Sequence, residues 1–155
     1  DQVRGDIADG TLFVGQDEDT GEIIATVTVD TFADPDFWGP EDEPDSALYL
    51  HRMIVARHRA GRGLGEELTE WIGQLAQALG YLRVRLDCWR SNLALQRYYA
   101  SHGWRWVRTV DAPWRESGAL FEKDVRSLGR RAPTTAPATR HPAGAGDRRR
   151  STPPS

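Results

Sequence analysis

A mixed α/β domain is the fold class that three features of this sequence predict. Residues 11–14, 23–29 and 82–89 are strand-like, rich in β-branched and aromatic residues or alternating between apolar and polar. Between Leu64 and Leu79 the period changes. Leu64, Leu68, Ile72, Leu75 and Leu79 recur at helical spacing, with Glu66, Glu67, Glu70 and Gln74 interleaved. The third feature joins the two patterns: Arg59-Ala60-Gly61-Arg62-Gly63-Leu64-Gly65 links an apolar, strand-like run at 47–56 to that helix.

The glycine-rich link is the most informative stretch. Its glycines let the backbone approach a ligand, and the amides that open the helix lack intrahelical partners. A strand, such a turn and a helix N-terminus together form an anion cradle suited to phosphates. The common phosphate loops do not fit. There is no Gly-Lys-Ser/Thr, and Glu66 stands where the dinucleotide fingerprint needs its last glycine.

Taken in order, the elements begin with a hairpin, since Asp17-Glu18-Asp19-Thr20-Gly21 separates the first two strands. Residues 34–45 contain three prolines and six acids and read as a long exposed loop. There Phe37 and Trp38 amid the carboxylates suit an organic cation. The strand from Ala47 follows, then the helix, which Gly80 ends. Leu82, Val84, Leu86 and Cys88 alternate with Arg83, Arg85, Asp87 and Trp89, a strand with two distinct faces. Ser91 or Asn92 caps the next helix, which stops at Gly103. Residues 104–110 and 119–125 read as a closing antiparallel pair.

The chain of 155 residues suffices for one domain with a real core. No apolar run approaches the ~20 residues of a membrane span, and no signal-peptide pattern opens the sequence. The single Cys88 excludes an internal disulfide, which with the rest makes a reducing cytoplasm the expected compartment. Residues 126–155 carry seven arginines against one acid, +6 within a whole-chain charge of −3, which leaves −9 for the rest. From 127 onward the Arg/Pro/Ala-rich composition predicts a disordered tail, so the domain is expected over residues 1–126.

Three motifs carry a family resemblance. The glycine turn resembles the pyrophosphate-binding turn of the GNAT superfamily, the acyl-CoA-dependent N-acyltransferases. Asn92-Leu93-Ala94-Leu95-Gln96-Arg97-Tyr98-Tyr99-Ala100-Ser101-His102-Gly103-Trp104 is similar to that family's Asn-initiated helix with its tyrosine and closing Gly-aromatic pair. Leu48-Tyr49-Leu50-His51-Arg52-Met53-Ile54-Val55 resembles its cofactor-facing strand. The resemblance implies a largely antiparallel twisted sheet flanked by helices, with a splayed central parallel strand pair. It also implies that the family's usual first strand and two helices are missing, as in a fragment or a shortened domain.

By position, the resemblance assigns acetyl-CoA binding to Arg59, Gly61, Arg62, Gly63, Leu64, Gly65 and Glu66 in the turn. Met53, Ile54 and Val55 would offer backbone to the pantetheine arm, and Asn92 would touch that arm besides capping its helix. Ala60 departs from the Arg or Gln of many relatives, and Arg59 or Arg62 can supply the charge. Tyr99, seven residues after Asn92, takes the place of the family's tyrosine; a phenol can give the departing thiolate a proton or a hydrogen bond. Packing is the competing role for Tyr99, as it is the expected one for Tyr98 and Cys88. His51 and Asp87 are the candidates to deprotonate an incoming ammonium, directly or through water; an ordinary strand histidine and an ion-paired carboxylate are their plain alternatives. The implied activity is N-acetyl transfer to a primary amine of a small molecule or peptide, with no metal and no membrane, and with room for a homodimer. Two rivals remain: a non-catalytic acyl-CoA-binding module, and a nucleic-acid binder working through the arginine tail.

Overall fold

The computed structural model describes residues 11–128. The expected tail and the first ten residues lie outside that range. Six strands form one sheet: β1 (Leu12–Gln16), β2 (Ile23–Asp30), β3 (Ala47–Val55), β4 (Arg83–Trp89), β5 (Arg105–Thr109) and β6 (Ser117–Asp124). Their spatial order is β1-β2-β3-β4-β6-β5. Only β3 and β4 pair in parallel; the other neighbours are antiparallel. A parallel pair needs a crossover, which α1 (Leu64–Ala78) supplies, and α2 (Leu93–Ser101) connects β4 to β5. A short turn of helix, α3 (Val125–Leu128), follows β6. None of the described helices is long and apolar enough to cross a membrane.

Local chemistry explains the joints. Asp17 Oδ1 accepts the Asp19 and Thr20 amides at 3.0 and 2.9 Å, closing the β1–β2 hairpin. Asn92 caps α2 by accepting the Leu95 amide at 3.0 Å, and Gly80 and Gly103 follow the two helices at positive φ.

Strand alternation divides the core. On one face Val27, Val29, Leu48, Leu50, Val84, Leu86 and Phe121 pack beneath Ile72 and Ala76 of α1 and Tyr99 of α2. On the other, Ala47, Tyr49 and Leu120 are covered by Phe37 and Trp38.

This second layer corrects two sequence expectations. Residues 34–45 do not form a solvated loop, because Phe37 and Trp38 are only 2% and 4% exposed. Burying two such rings removes a large apolar area from water. The flanking acids answer arginines of the sheet and its loops: Asp42 takes a two-pronged pair from Arg108 at 2.9 and 2.6 Å, and Asp34 meets Arg115 at 2.7 Å. Neither aromatic is free for an organic cation either, since the guanidiniums of Arg85 and Arg115 already lie 4.5 and 4.1 Å from the Trp38 and Phe37 ring centres. Nor is the charged face of β4 all surface. Arg85 is 2% exposed and donates to Glu122, the Tyr49 hydroxyl and the Asp42 carbonyl, so its charge is paired and hydrogen-bonded as burial requires.

The feature that positions the site is a gap in the sheet. Parallel pairing runs from Ala47↔Arg83 to Leu50↔Leu86 and stops, although β3 continues to Val55 and β4 to Trp89. Opposite β2, Thr26 pairs with Ile54 but Thr28 pairs with His51, so β3 carries one extra residue there. Within this bulge Arg52 adopts φ 45°, a left-handed conformation that costs a non-glycine residue roughly 1–3 kcal/mol. The bulge bends β3 away from β4 and opens a window.

Candidate active site

The window joins three cavities. The first lies at the glycine turn and is lined by Gly61, Gly63, Gly65, Met53, Val55, Leu95 and Tyr98, with a volume of about 420 Å³. A middle cavity of about 390 Å³ lies in the strand gap between Met53 and Cys88, bordered by Asn92 and Tyr99. Tyr99, Met53 and Leu95 line both. An outer cavity of about 560 Å³ holds His51, Asp30, Asp34, Phe32 and Arg115, and shares Leu50, Arg52, Asp87, Cys88 and Trp89 with the middle one. Each is of small-molecule size, and together they form a path from one face of the sheet to the other.

At the inner end, Gly61 and Gly63 both have φ 77°, which turns the chain sharply into α1. A Cβ at either would meet no atom within 4 Å, so these glycines serve backbone conformation and leave the cradle open. The amides of Leu64, Gly65 and Glu66 open α1 without a carbonyl one turn earlier, and the positive end of the helix dipole faces the same space. Arg59 is held by Asp17 at 2.7 Å. Arg62 is exposed and has no ion pair among the described residues, which leaves it as the mobile cation at the cradle. The residues fit an anionic, extended ligand: a phosphate group at the turn and an arm along β3, whose β4-facing backbone has no strand partner beyond Leu50.

Ile54 is exposed and lies on the β2 pairing at Thr26, and neither it nor Arg62 lines the inner cavity. Arg59, Leu64 and Glu66 do line it. Asn92 lines the middle cavity while its side chain caps α2, so the cap and the site share one residue.

Tyr99 is 5% exposed and packs against Trp104 and Phe121. Burial, reinforced by Cys88, Tyr98 and Asp87, pushes its phenol up to about 12. The proton therefore stays on at neutral pH. A phenol at about 12 yields its proton less readily than an ordinary thiol at ~8.5, so donating a hydrogen bond to charge on sulfur suits it better than complete transfer. Tyr98 was expected to be structural, but its hydroxyl lies 3.3 Å from where a Gly65 Cβ would sit, and it lines the inner cavity. Burial also pushes the Cys88 thiol up to about 11; the thiolate is the nucleophilic form, so Cys88 suits packing at the window rather than attack.

On the outer side, His51 and Asp87 come together in one cavity, as an acid-base pair of candidates requires. Asp87 accepts a hydrogen bond from the Ser117 hydroxyl; Arg85, one partner the sequence suggested for it, points into the Glu122 network instead. His51 Nε2 lies 3.1 Å from Asp30 Oδ1. Sequence reasoning missed Asp30, Phe32, Arg115 and Ser117. They come from four places in the chain, and only the strand register and the packed 33–46 segment gather them.

Comparison with known proteins agrees with this geometry. The sequence profile of the acetyltransferase (GNAT) family matches residues 2–104. The chain is 29% identical over 124 residues to the uncharacterised N-acetyltransferase YesJ of Bacillus subtilis (strain 168), spanning 79% of this chain and 66% of YesJ. Among solved structures, a GNAT-family acetyltransferase from Listeria monocytogenes 4b F2365 superposes with a TM-score of 0.66 at 22% identity, covering 79% of this chain and 69% of that one. The aminoglycoside acetyltransferase AAC(6')-Ib, solved in complex with coenzyme A, gives 0.61 at 19% identity over 81% of this chain and 73% of that one. At these identities the structural matches show the fold.

Proposed function

The chain belongs to the acetyltransferase (GNAT) family, and on that premise we propose that it transfers an acetyl group from acetyl-CoA to a primary amine by direct attack in a ternary complex. The observation that carries this reading is the window between β3 and β4, with an anion cradle at one end and titratable side chains at the other. Two substrates can enter from opposite faces and meet in the gap. Holding them so replaces a bimolecular encounter with an oriented one.

The chain's own groups then divide the work. The glycine turn and Arg62 hold phosphate charge, and the unpaired backbone of Met53 and Val55 positions the arm as an added strand would. A backbone amide there can face the thioester oxygen as negative charge develops on it. His51 or Asp87 accepts the proton that the ammonium must lose, which frees the nitrogen lone pair for attack on the carbonyl. As the C–S bond breaks, the Tyr99 hydroxyl donates to the departing sulfur. The products are the amide, free CoA and one proton.

The test compares turnover of acetyl-CoA with a panel of small amines against binding of acetyl-CoA alone by calorimetry. Acetylation of at least one amine is the expected result. Tight binding without any turnover would instead make the domain an acyl-CoA-binding module.

A further inference from the structure

The outer cavity contains a pair that the sequence does not announce. Asp30 ends β2 opposite Tyr49, which places it diagonal to His51 on the same face of the sheet, within side-chain reach. Its Oδ1 lies 3.1 Å from His51 Nε2 and also accepts the Phe32 amide at 2.9 Å, which fixes the carboxylate. An ionised carboxylate can only accept, so Nε2 carries the hydrogen and Nδ1 keeps the lone pair. Among the described residues no group hydrogen-bonds Nδ1. The other charges around this cavity are Arg52 on β3, Asp87 on β4, Asp34 before Phe37 and Arg115 before β6. Asp34 is already matched to Arg115, which leaves Asp30 as the carboxylate in contact with the imidazole.

We propose that Asp30 is the positioning residue of a general-base dyad, holding His51 so that Nδ1 takes the proton of the incoming ammonium. This rests on the acetyl-transfer reading above. The proton passes from the ammonium to Nδ1, the amine nitrogen keeps the electron pair with which it attacks the thioester carbonyl, and the imidazolium sits against the Asp30 carboxylate until solvent takes the proton. The carboxylate both fixes the tautomer and favours the charged ring as it forms.

Asp30→Asn tests this, because it keeps an acceptor for the Phe32 amide while removing the charge. The full chain is assayed with acetyl-CoA and two acceptors: benzylamine, an ammonium at pH 7, and aniline, already neutral there. With benzylamine, kcat/KM should fall on the order of 10²-fold and recover as pH rises until the amine is neutral in solution. Aniline should be acetylated by variant and wild type within a few-fold. Adding Asp30→Asn to His51→Gln should cause no further loss, since the two act as a unit. Equal losses for both amines at every pH, no loss at all, or additive losses would overturn the dyad. If wild type binds acetyl-CoA but acetylates neither amine, the fault lies in the acceptor reading, and ¹⁵N spectra of His51 decide the dyad. A hydrogen on Nε2 with Nδ1 bare supports it; the opposite tautomer overturns it.

Discussion

At the scale of single residues, the two adjacent tyrosines separate by role. Tyr99 is buried at the window with its hydroxyl proton held on, whereas Tyr98 leans over Gly65 at the inner cavity. Tyr99→Phe should lower kcat by ~10²–10⁴-fold and leave acetyl-CoA affinity nearly unchanged, as steady-state kinetics and calorimetry would read. Tyr98→Phe should act mainly on acetyl-CoA affinity. A kcat effect confined to Tyr98 would reverse the assignment. The sequence placed Tyr99 by counting from Asn92. It could not show that the environment favours a hydrogen-bond donor over a proton donor, because the raised pKa comes from burial by residues distant in the chain.

Among the elements, the glycine turn and the 33–46 segment carry separate expectations. Gly61 and Gly63 stand in open space at φ 77°, so their requirement is conformational. Gly63→Ala should cost about 1–2 kcal/mol of stability and weaken acetyl-CoA binding, while Gly63→Asp, which adds negative charge at the cradle, should abolish binding in a folded protein. Calorimetry beside a thermal melt distinguishes the two. The 33–46 segment was legible only as acidic and loop-like. Its function in the fold is to roof the second face of the sheet, and Trp38→Ala should destabilise the domain by about 3–5 kcal/mol in a denaturant titration. The segment's acids are correspondingly poor candidates for steering an amine. Asp42→Asn should lower the melting temperature and leave the KM of the acceptor unchanged.

For the whole molecule, paired carboxylates set the acid limit of stability. A hydrogen bond from Arg108 holds the Asp42 carboxyl below its usual range. Burial pushes Glu122 up, but hydrogen bonds from Arg105 and Arg85 outweigh it and bring it below its usual value. Both folded values are depressed, so the unfolded chain binds protons first. The stability these groups supply is fully present above the unfolded carboxylate range near ~4 and is lost as pH falls through the lower folded values. Melting temperature should therefore decline below about pH 4, and Asp42→Asn should make that decline shallower.

The sequence by itself determined the elements, the glycine turn, the Asn92 cap and the family. Each of these is local: a period, a cap or a turn is complete within about 15 residues, the span over which backbone hydrogen bonds and side-chain spacing repeat. Tertiary structure decided the rest. The bulge at Arg52 and the end of pairing at Leu50↔Leu86 depend on three strands at once, the roof of Phe37 and Trp38 depends on arginines of β4 and β5 and of the turn before β6, and the Asp30–His51 pair depends on a register that this bulge shifts. Strand register is fixed by which faces are buried, and burial is a property of the packed molecule.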